Sequence, residues 1–158
     1  MLCAARDAVG GDSILVDGFN VAAELKSQDE DLYRDMTRIS LTGVYKGDGH
    51  ILRSSRPVFR EDLNGHLTQV SFNNYDRDTV RLNEAHMKRA YEGIIAIDQF
   101  LNLPENQWRY PLAEGEMLVF DNWRLLHGRT SYQGTRRMAG TYVNREDFES
   151  KLRRFDLL

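Results

Sequence analysis

The sequence runs Phe120-Asp121-Asn122-Trp123-Arg124-Leu125-Leu126-His127-Gly128-Arg129 near its C-terminal end, and this stretch decides how the rest is interpreted. We expect His127 to lie just past the end of a strand, beside a glycine that permits close approach of another group. Neutral imidazole is the commonest metal ligand in proteins. Taken alone, however, one histidine fits a surface or a satisfied core position better than a metal site.

A second informative stretch, Arg136-Arg137-Met138-Ala139-Gly140-Thr141-Tyr142, follows closely and predicts a strand. Because side chains alternate along a strand, Arg136 and Tyr142 share one face and Arg137 points the other way. If the first face is interior, Arg136 needs an anion, and its guanidinium matches a carboxylate in bidentate fashion. A dicarboxylate cosubstrate would supply that anion. Two other interpretations of Arg136 are equally well supported. It would pair with an acidic side chain of the protein, or it would lie at the surface.

The remaining patterns predict one long helix among many short strands. Strands are expected at residues 13–19, 51–59, 66–72, 117–120 and 138–143, with a hairpin turn at residues 62–65. Helices are expected at residues 21–25 with Asn20 as N-cap, at residues 30–36, and at residues 84–101 with Asn83 as N-cap. Residues 43–49 are turn-rich. This combination predicts an all-β core with helical support, either a sandwich or a barrel.

Composition excludes several classes of protein. The net charge is −3 with acids and bases interleaved, so a nucleic-acid partner is not expected. No apolar run approaches the roughly 20 residues that a membrane helix needs. The single cysteine, Cys3, excludes an internal disulfide and a cysteine-based zinc site. Residues 1–7 lack the apolar segment of a signal peptide, and we expect the chain to begin almost inside a folded element.

The combined motif resembles a known family. The stretch at residues 120–129, followed by an aromatic residue and by Arg-x-x-x-Gly-x-Tyr at residues 136–142, is similar to the C-terminal signature of the trimethyllysine and γ-butyrobetaine dioxygenases. These are TauD-like, Fe(II)- and 2-oxoglutarate-dependent enzymes. Three further segments agree with this resemblance, at residues 10–19, 73–77 and 144–148. The resemblance spans residues 10–154 and implies one partial catalytic domain over residues 1–158, the C-terminal part of a double-stranded β-helix (jelly-roll) core.

The resemblance implies roles for four residues. His127 would be the second histidine of the iron site, and Arg136 would hold the distal carboxylate of 2-oxoglutarate. Tyr142 would form one wall of an aromatic cage around a trimethylammonium group, which cannot donate hydrogen bonds and is suited to aromatic faces. Asn73 would bind the polar end of the substrate. Considered without the resemblance, Tyr142 fits core packing better, and so does Trp123.

The iron site departs from the family pattern. Such enzymes hold iron with two histidines and one carboxylate, and the first histidine and the carboxylate form His-x-Asp or His-x-Glu. None of the four histidines of this chain is followed by an acid at that spacing. In the family that pair lies upstream of the strand at residues 13–19, a region that we expect to be missing or replaced by residues 1–9. The expectation is therefore a fragment that is inactive by itself.

The sequence thus predicts a hydroxylase of N6,N6,N6-trimethyllysine in carnitine biosynthesis, present as a fragment. Asn-Asn-Tyr-Asp-Arg at residues 73–77 favours trimethyllysine over γ-butyrobetaine, which is the alternative substrate. A non-catalytic remnant that binds a small ligand or a partner is the other alternative. The resemblance also implies Fe(II), 2-oxoglutarate and ascorbate as cofactors, a mitochondrial location, and a homodimer as a candidate assembly of the full-length enzyme.

Overall fold

The computed structural model describes all residues from 1 to 158. Nine strands lie at Leu2–Gly10 (β1), Ser13–Asp17 (β2), Ser40–Gly47 (β3), His50–Pro57 (β4), Phe59–Glu61 (β5), Leu67–Val70 (β6), Trp108–Tyr110 (β7), Leu125–Arg129 (β8) and Tyr132–Ala139 (β9). Four α-helices lie at Gly18–Gln28 (α1), Glu30–Arg38 (α2), Glu84–Asn102 (α3) and Arg145–Arg153 (α4), and a short 3-10 helix lies at Pro104–Asn106.

Helix and strand contribute nearly equally, at 32% and 35% of the chain. The chain therefore mixes helix and strand. The predicted all-β core gave the helices too little weight, because α1 and α2 were predicted too short and α4 was not predicted. The strands form four small sheets, namely β1–β9, β7–β2–β8, β3–β4 and β5–β6. None of the helices is both long enough and apolar enough to span a bilayer.

The chain divides into two compact units. The smaller unit consists of residues 1–12, 111–119 and 131–158. Its centre is the antiparallel pair β1–β9, which runs from Leu2 opposite Ala139 to Gly10 opposite Tyr132 with a bulge after Cys3. Whether residues 1–9 stand in place of a missing region stays a prediction, but these residues are themselves structured. They form a strand along nearly their whole length.

The larger unit consists of residues 13–110 and 120–130. Its apolar core is built by α1, α2 and α3 together with residues from the short strands, and Tyr33 stacks on Phe59 with ring centroids 5.3 Å apart. The central members of this core are less than 2% exposed, namely Val21, Met36, Val58, Phe59 and Ile97. Burial of such side chains stabilises a fold by about 1.5–3 kcal/mol each, so the larger unit holds most of the hydrophobic stabilisation.

The helices of this unit begin at side-chain caps. Asn83 accepts a hydrogen bond from the backbone N–H of His86, as predicted, and Asp29 caps α2 in the same way through Leu32. The start of α1 was predicted wrongly. Asp17 is its N-cap and accepts from the N–H of Phe19, so the strand ends at Asp17 and the helix begins three residues before the position predicted from Asn20.

Two further predictions of strands and turns need correction. Residues 43–49 are not a turn-rich segment, because β3 continues through them to Gly47 and only Asp48 and Gly49 make the tight turn to β4. No strand forms at residues 117–120, where Met117 makes only an isolated bridge to Leu2. The hairpin turn at residues 62–65 is confirmed and joins β5 to β6.

Candidate functional site

His127 lies in the middle of β8, opposite Leu15 of β2, rather than just past a strand end as predicted. Its ring is 5.2 Å from that of Phe120 in a tilted arrangement. Partial burial lowers the pKa of His127 below its usual value, because desolvation disfavours the charged form. The imidazole is therefore neutral near pH 7, which is the state that a metal ligand requires.

The space beside His127 is open. A Cβ atom added at Gly128 would have no neighbour within 4 Å, and His127 itself is exposed to solvent. The predicted room for another group next to His127 is thus present. The space is open because this part of β8 lies at the surface. A residue larger than glycine would also fit at position 128.

An ion pair fixes the start of the strand that carries His127. Arg124 donates from Nε and from a terminal nitrogen to the carboxylate of Asp17, at 3.1 and 2.6 Å, and its carbonyl accepts from Gly18 N–H at 2.9 Å. The side-chain hydrogen bond from Arg124 lowers the pKa of Asp17. Asp17 therefore caps α1 and anchors the turn that precedes β8, a double role that the sequence analysis missed.

Trp123, expected to pack in the core, is 42% exposed. Its backbone makes the structural contacts instead. The Trp123 carbonyl accepts from Val70 N–H at 2.8 Å, and its N–H donates to the Asp121 carboxylate at 2.9 Å. The turn before β8 is therefore held to β6 through the main chain, and this leaves the indole accessible.

Arg136 lies in β9, and the predicted alternation of faces holds along this strand. Arg136 and Met138 are half-buried, whereas Arg137 and Ala139 are exposed. The Nε atom of Arg136 is buried. Its side chain lies over the turn between β1 and β2, because a Cβ atom added at Gly11 would be 3.0 Å from Arg136 Cδ.

Arg6 is a second arginine on this face, and it was not among the predicted site residues. The register places Arg6 directly opposite Arg136. The Arg6 guanidinium donates to the carbonyls of Leu112 and Gly10 at 3.2 and 2.7 Å and lies 3.4 Å from the Asp12 carboxylate. No local sequence signal would have found it, because residues 2–10 do not alternate between polar and apolar side chains.

Tyr142 lies beyond the end of β9 at Ala139 and is 81% exposed. The prediction that one strand face carries both Arg136 and Tyr142 was therefore wrong in its geometry, because Gly140 ends the strand early. Both residues belong to the smaller unit. The role of Tyr142 as a cage wall stays a prediction.

Asn73 lies in an exposed loop of the larger unit, and its amide is used within that loop. The Asn73 carbonyl oxygen accepts from the N–H groups of Tyr75 and Asp76, and its Nδ2 donates to the Asp76 carboxylate at 2.8 Å. This is the local turn pattern that asparagine favours. A substrate contact by Asn73 stays a prediction, and in this conformation it competes with the turn.

The residues present do not by themselves form an iron site. No three side chains of His, Cys, Asp or Glu type are grouped so that they could hold a metal ion. Fe(II) in the oxygenase pattern needs two histidines and a carboxylate, and His127 supplies one imidazole. One imidazole thus falls short of the ligand set that Fe(II) needs.

His127 lies on a strand of the larger unit, and Arg136 lies on a strand of the smaller unit. Residues 1–142 match the family described as taurine catabolism dioxygenase TauD, TfdA family. The chain belongs to this family.

Its curated relatives include trimethyllysine dioxygenases and a γ-butyrobetaine dioxygenase. The chain is 36% identical over 152 residues to a trimethyllysine dioxygenase of Meyerozyma guilliermondii, covering 93% of this chain and 38% of the relative. It is 37% identical over 150 residues to that of Neurospora crassa, covering 91% and 32%. The γ-butyrobetaine dioxygenase of Homo sapiens is 32% identical over 162 residues, covering 96% and 41%. The chain thus spans about two fifths of these relatives or less.

Proposed function

We propose that this chain is the C-terminal portion of an Fe(II)- and 2-oxoglutarate-dependent hydroxylase of N6,N6,N6-trimethyllysine. The observation that carries the proposal is the position of Arg136, half-buried on the inner face of a paired strand in a chain of the TauD/TfdA family. A buried guanidinium is suited to bind a carboxylate through two parallel hydrogen bonds. Arg136 would therefore bind the distal carboxylate of 2-oxoglutarate.

The proposed fold is the C-terminal part of a jelly-roll core, with residues 1–158 as one partial catalytic domain. The pairing of β1 with β9 supports it, because these strands are joined antiparallel although more than a hundred residues separate them in the chain. Such remote antiparallel pairing is a property of Greek-key and jelly-roll topologies.

The other three predicted site residues would bind the metal or the substrate, and none of them would react chemically. His127 would contribute one neutral imidazole to the metal, and the other metal ligands would come from outside this chain. Tyr142 is exposed, so its ring is accessible to a trimethylammonium group, and Asn73 would contact the polar end of the substrate. Fe(II), 2-oxoglutarate and ascorbate are the cofactors in this proposal. A mitochondrial location and a homodimer of the full-length enzyme are part of the same proposal, without nucleic-acid or membrane partners.

γ-Butyrobetaine is the second candidate substrate, since the human relative of that name covers 96% of this chain. The segment Asn73-Asn74-Tyr75-Asp76-Arg77 favours trimethyllysine. A non-catalytic remnant that binds a small ligand or partner is the third candidate, and the lack of a three-ligand metal group favours it for the chain taken alone.

The test of the carboxylate assignment is a titration of the purified chain with 2-oxoglutarate, followed by NMR. Arg136→Met should weaken binding by about tenfold or more, since a hydrogen bond to a charged group contributes about 1.5–3 kcal/mol. Arg137→Met is the matched control, because it removes the same charge from the exposed face of the same strand. Equal binding by wild type and Arg136→Met would overturn the assignment.

The test of the activity uses the same chain with Fe(II), ascorbate, 2-oxoglutarate and either trimethyllysine or γ-butyrobetaine, and measures succinate. We expect no substrate-coupled turnover, because one imidazole does not hold Fe(II) in the required geometry. Turnover would show that this chain contains a metal ligand other than His127. A His-x-Asp encoded upstream of Gly10 in the transcript would support the oxygenase over the remnant.

A further inference from the structure

Helix α3 carries an exposed stripe beside the face that packs in the core. The core face consists of Ala90, Gly93, Ile94 and Ile97. The members of the stripe recur at alternating intervals of four and three residues, namely Glu84, Lys88, Tyr91, Ile95, Asp98 and Asn102. Because an α-helix has roughly 3.6 residues per turn, this spacing places all six along one side of α3. Five of them are exposed, and Asp98 is half-buried.

Two large apolar side chains occupy the middle of this stripe. Tyr91 is 44% exposed and Ile95 is 54% exposed, whereas Ile97 on the core side is 1% exposed. Apolar residues that recur at intervals of three and four, with charged residues beside them, are typical of a helix that packs against another helix. Nothing within the chain covers this pair of side chains. A second helix laid along the stripe would remove them from water.

The charged residues on either side of the apolar pair have opposite signs. Lys88 lies 3.8 Å from Glu92, which is longer than a hydrogen bond, and its side chain is 76% exposed. The Asp98 carboxylate accepts hydrogen bonds from the amides of Asn74 and Asn102 at 2.9 and 3.1 Å, and it forms no ion pair. An ammonium group and a carboxylate are thus both available to an oppositely charged group of a partner.

A second copy of this stripe in antiparallel orientation is complementary to the first. If a two-fold axis passes midway between Tyr91 and Ile95, each Tyr91 lies opposite Ile95 of the second copy. The same axis places each Lys88 opposite Asp98 of the second copy. A parallel arrangement would bring Lys88 against Lys88 and Asp98 against Asp98, and such like-charge contacts are unfavourable. The charges therefore favour an antiparallel copy of this chain as the partner.

We propose that α3 is a dimerisation surface on which two copies of the chain pack antiparallel through Tyr91 and Ile95, with Lys88–Asp98 ion pairs on both sides. The stripe is about 27 Å long. One such helix pair is a small contact, of the size found in weak and reversible assemblies. The inference rests on the proposed function only for the homodimer named there. Because α3 lies wholly within the larger unit, the chain itself should dimerise.

The experiment is sedimentation equilibrium of the purified chain at protein concentrations up to about 1 mM. The measured mass should rise with concentration from 18.3 kDa towards twice that value. Ile95→Glu should weaken dimerisation about tenfold or more, because it places a charge in the apolar centre of the contact. Ala85→Glu is the matched control, since it adds the same charge at an exposed position of α3 outside the stripe. A wild-type chain that stays monomeric, or a dimer that Ile95→Glu leaves intact, would overturn the inference.

An exchange of charges keeps the test decisive if Ile95→Glu does not fold. Lys88→Glu alone should weaken dimerisation, because it brings a like charge against Asp98 of the second copy. Lys88→Glu combined with Asp98→Lys should restore dimerisation, since opposite charges again face each other. Circular dichroism shows whether each variant keeps its helices. A double variant that dimerises no better than Lys88→Glu would contradict the antiparallel pairing. The measurement contains no 2-oxoglutarate, so the carboxylate assignment of Arg136 succeeds or fails separately.

Discussion

The two units of the chain differ in how they use their residues. The larger unit contains the whole cluster of buried apolar side chains from its helices and short strands. In the smaller unit the buried apolar residues are Cys3 and Leu112, and the inner face of its strand pair carries two arginines. Apolar packing is thus concentrated in the larger unit, whereas the strand pair of the smaller unit carries two arginines on its half-buried face. Substitutions in the larger unit should change stability, whereas those on the inner face of β1–β9 should change ligand binding.

The largest effect that would sharpen this contrast is expected for Phe59→Ala. Phe59 is fully buried and stacks on Tyr33, so the substitution should lower the free energy of unfolding by about 3–5 kcal/mol. Phe148→Ala in α4 of the smaller unit is the control, because Phe148 is largely exposed and should cost under about 0.5 kcal/mol. Urea unfolding monitored by circular dichroism measures both. Similar losses for the two variants would break the comparison.

A smaller effect is expected for Gly93→Ala in α3. Alanine normally favours a helix interior over glycine. At this position, however, the added methyl group would overlap the side chain of the fully buried Met36. Overpacking costs about 1–3 kcal/mol, so we expect net destabilisation. Gly128→Ala is the control, since an added Cβ there meets open space. Thermal unfolding of both variants measures the effect. If Gly93→Ala stabilised the protein, the packing of α3 against Met36 of α2 would have space for the added methyl group.

The contrast between the units also explains what could be predicted from the sequence. Helix α3 and the turn between β5 and β6 were predicted correctly, because a long apolar stripe with an Asn cap and an Asn-Gly turn are local signals. The strand predicted at residues 51–59 is instead two strands, since β4 pairs with β3 and only β5 belongs to the hairpin. β3 was predicted in part as a turn-rich segment. β1, β7 and β8 were missed. Their strand character comes from pairing with residues more than eighty positions away, and no local pattern reports that.

The predicted site residues show the same dependence on pairing between distant segments. The alternation around Arg136 was predictable because it is a property of a single strand. Arg6 was not, because its place opposite Arg136 depends on the register of two distant segments. The ion pair of Asp17 with Arg124 likewise joins residues that are 107 positions apart. The extension of β9 to Tyr142 failed because Gly140 follows the last paired residue, Ala139.

The ion pair before β8 gives a third, smaller prediction. Asp17→Asn keeps a capping side chain for α1 but removes the charge that Arg124 binds. Because the pair is partly exposed, we expect a loss of under about 1 kcal/mol in unfolding free energy at pH 7. Arg124 holds the pKa of Asp17 below its usual value, so this stabilisation is present above that value and is lost as the pH falls through the folded pKa.

Urea unfolding of wild type and Asp17→Asn at a series of pH values checks this prediction. The difference between the two proteins should shrink on acidification. Glu30→Gln, which removes one of the two acidic partners of the exposed Arg34 within one helix, is the control for a surface ion pair. A difference that persists unchanged at acidic pH would mean that Asp17 acts as a cap alone and that the charge of Arg124 is irrelevant to β8.

The smallest effect concerns His127 itself. Partial burial lowers the pKa of His127, so the unfolded chain binds a proton at this position more readily than the folded chain. Stability should therefore rise with pH through the range below the usual histidine value of 6.5, and acidification should weaken the fold slightly. An NMR titration of the His127 ring should give a midpoint below 6.5. Phe120→Ala should raise that midpoint, because the Phe120 ring 5.2 Å away contributes to the desolvation. A midpoint at or above 6.5 in the wild-type chain would mean that His127 is fully hydrated, and would remove the argument that β8 presents a neutral imidazole to a metal.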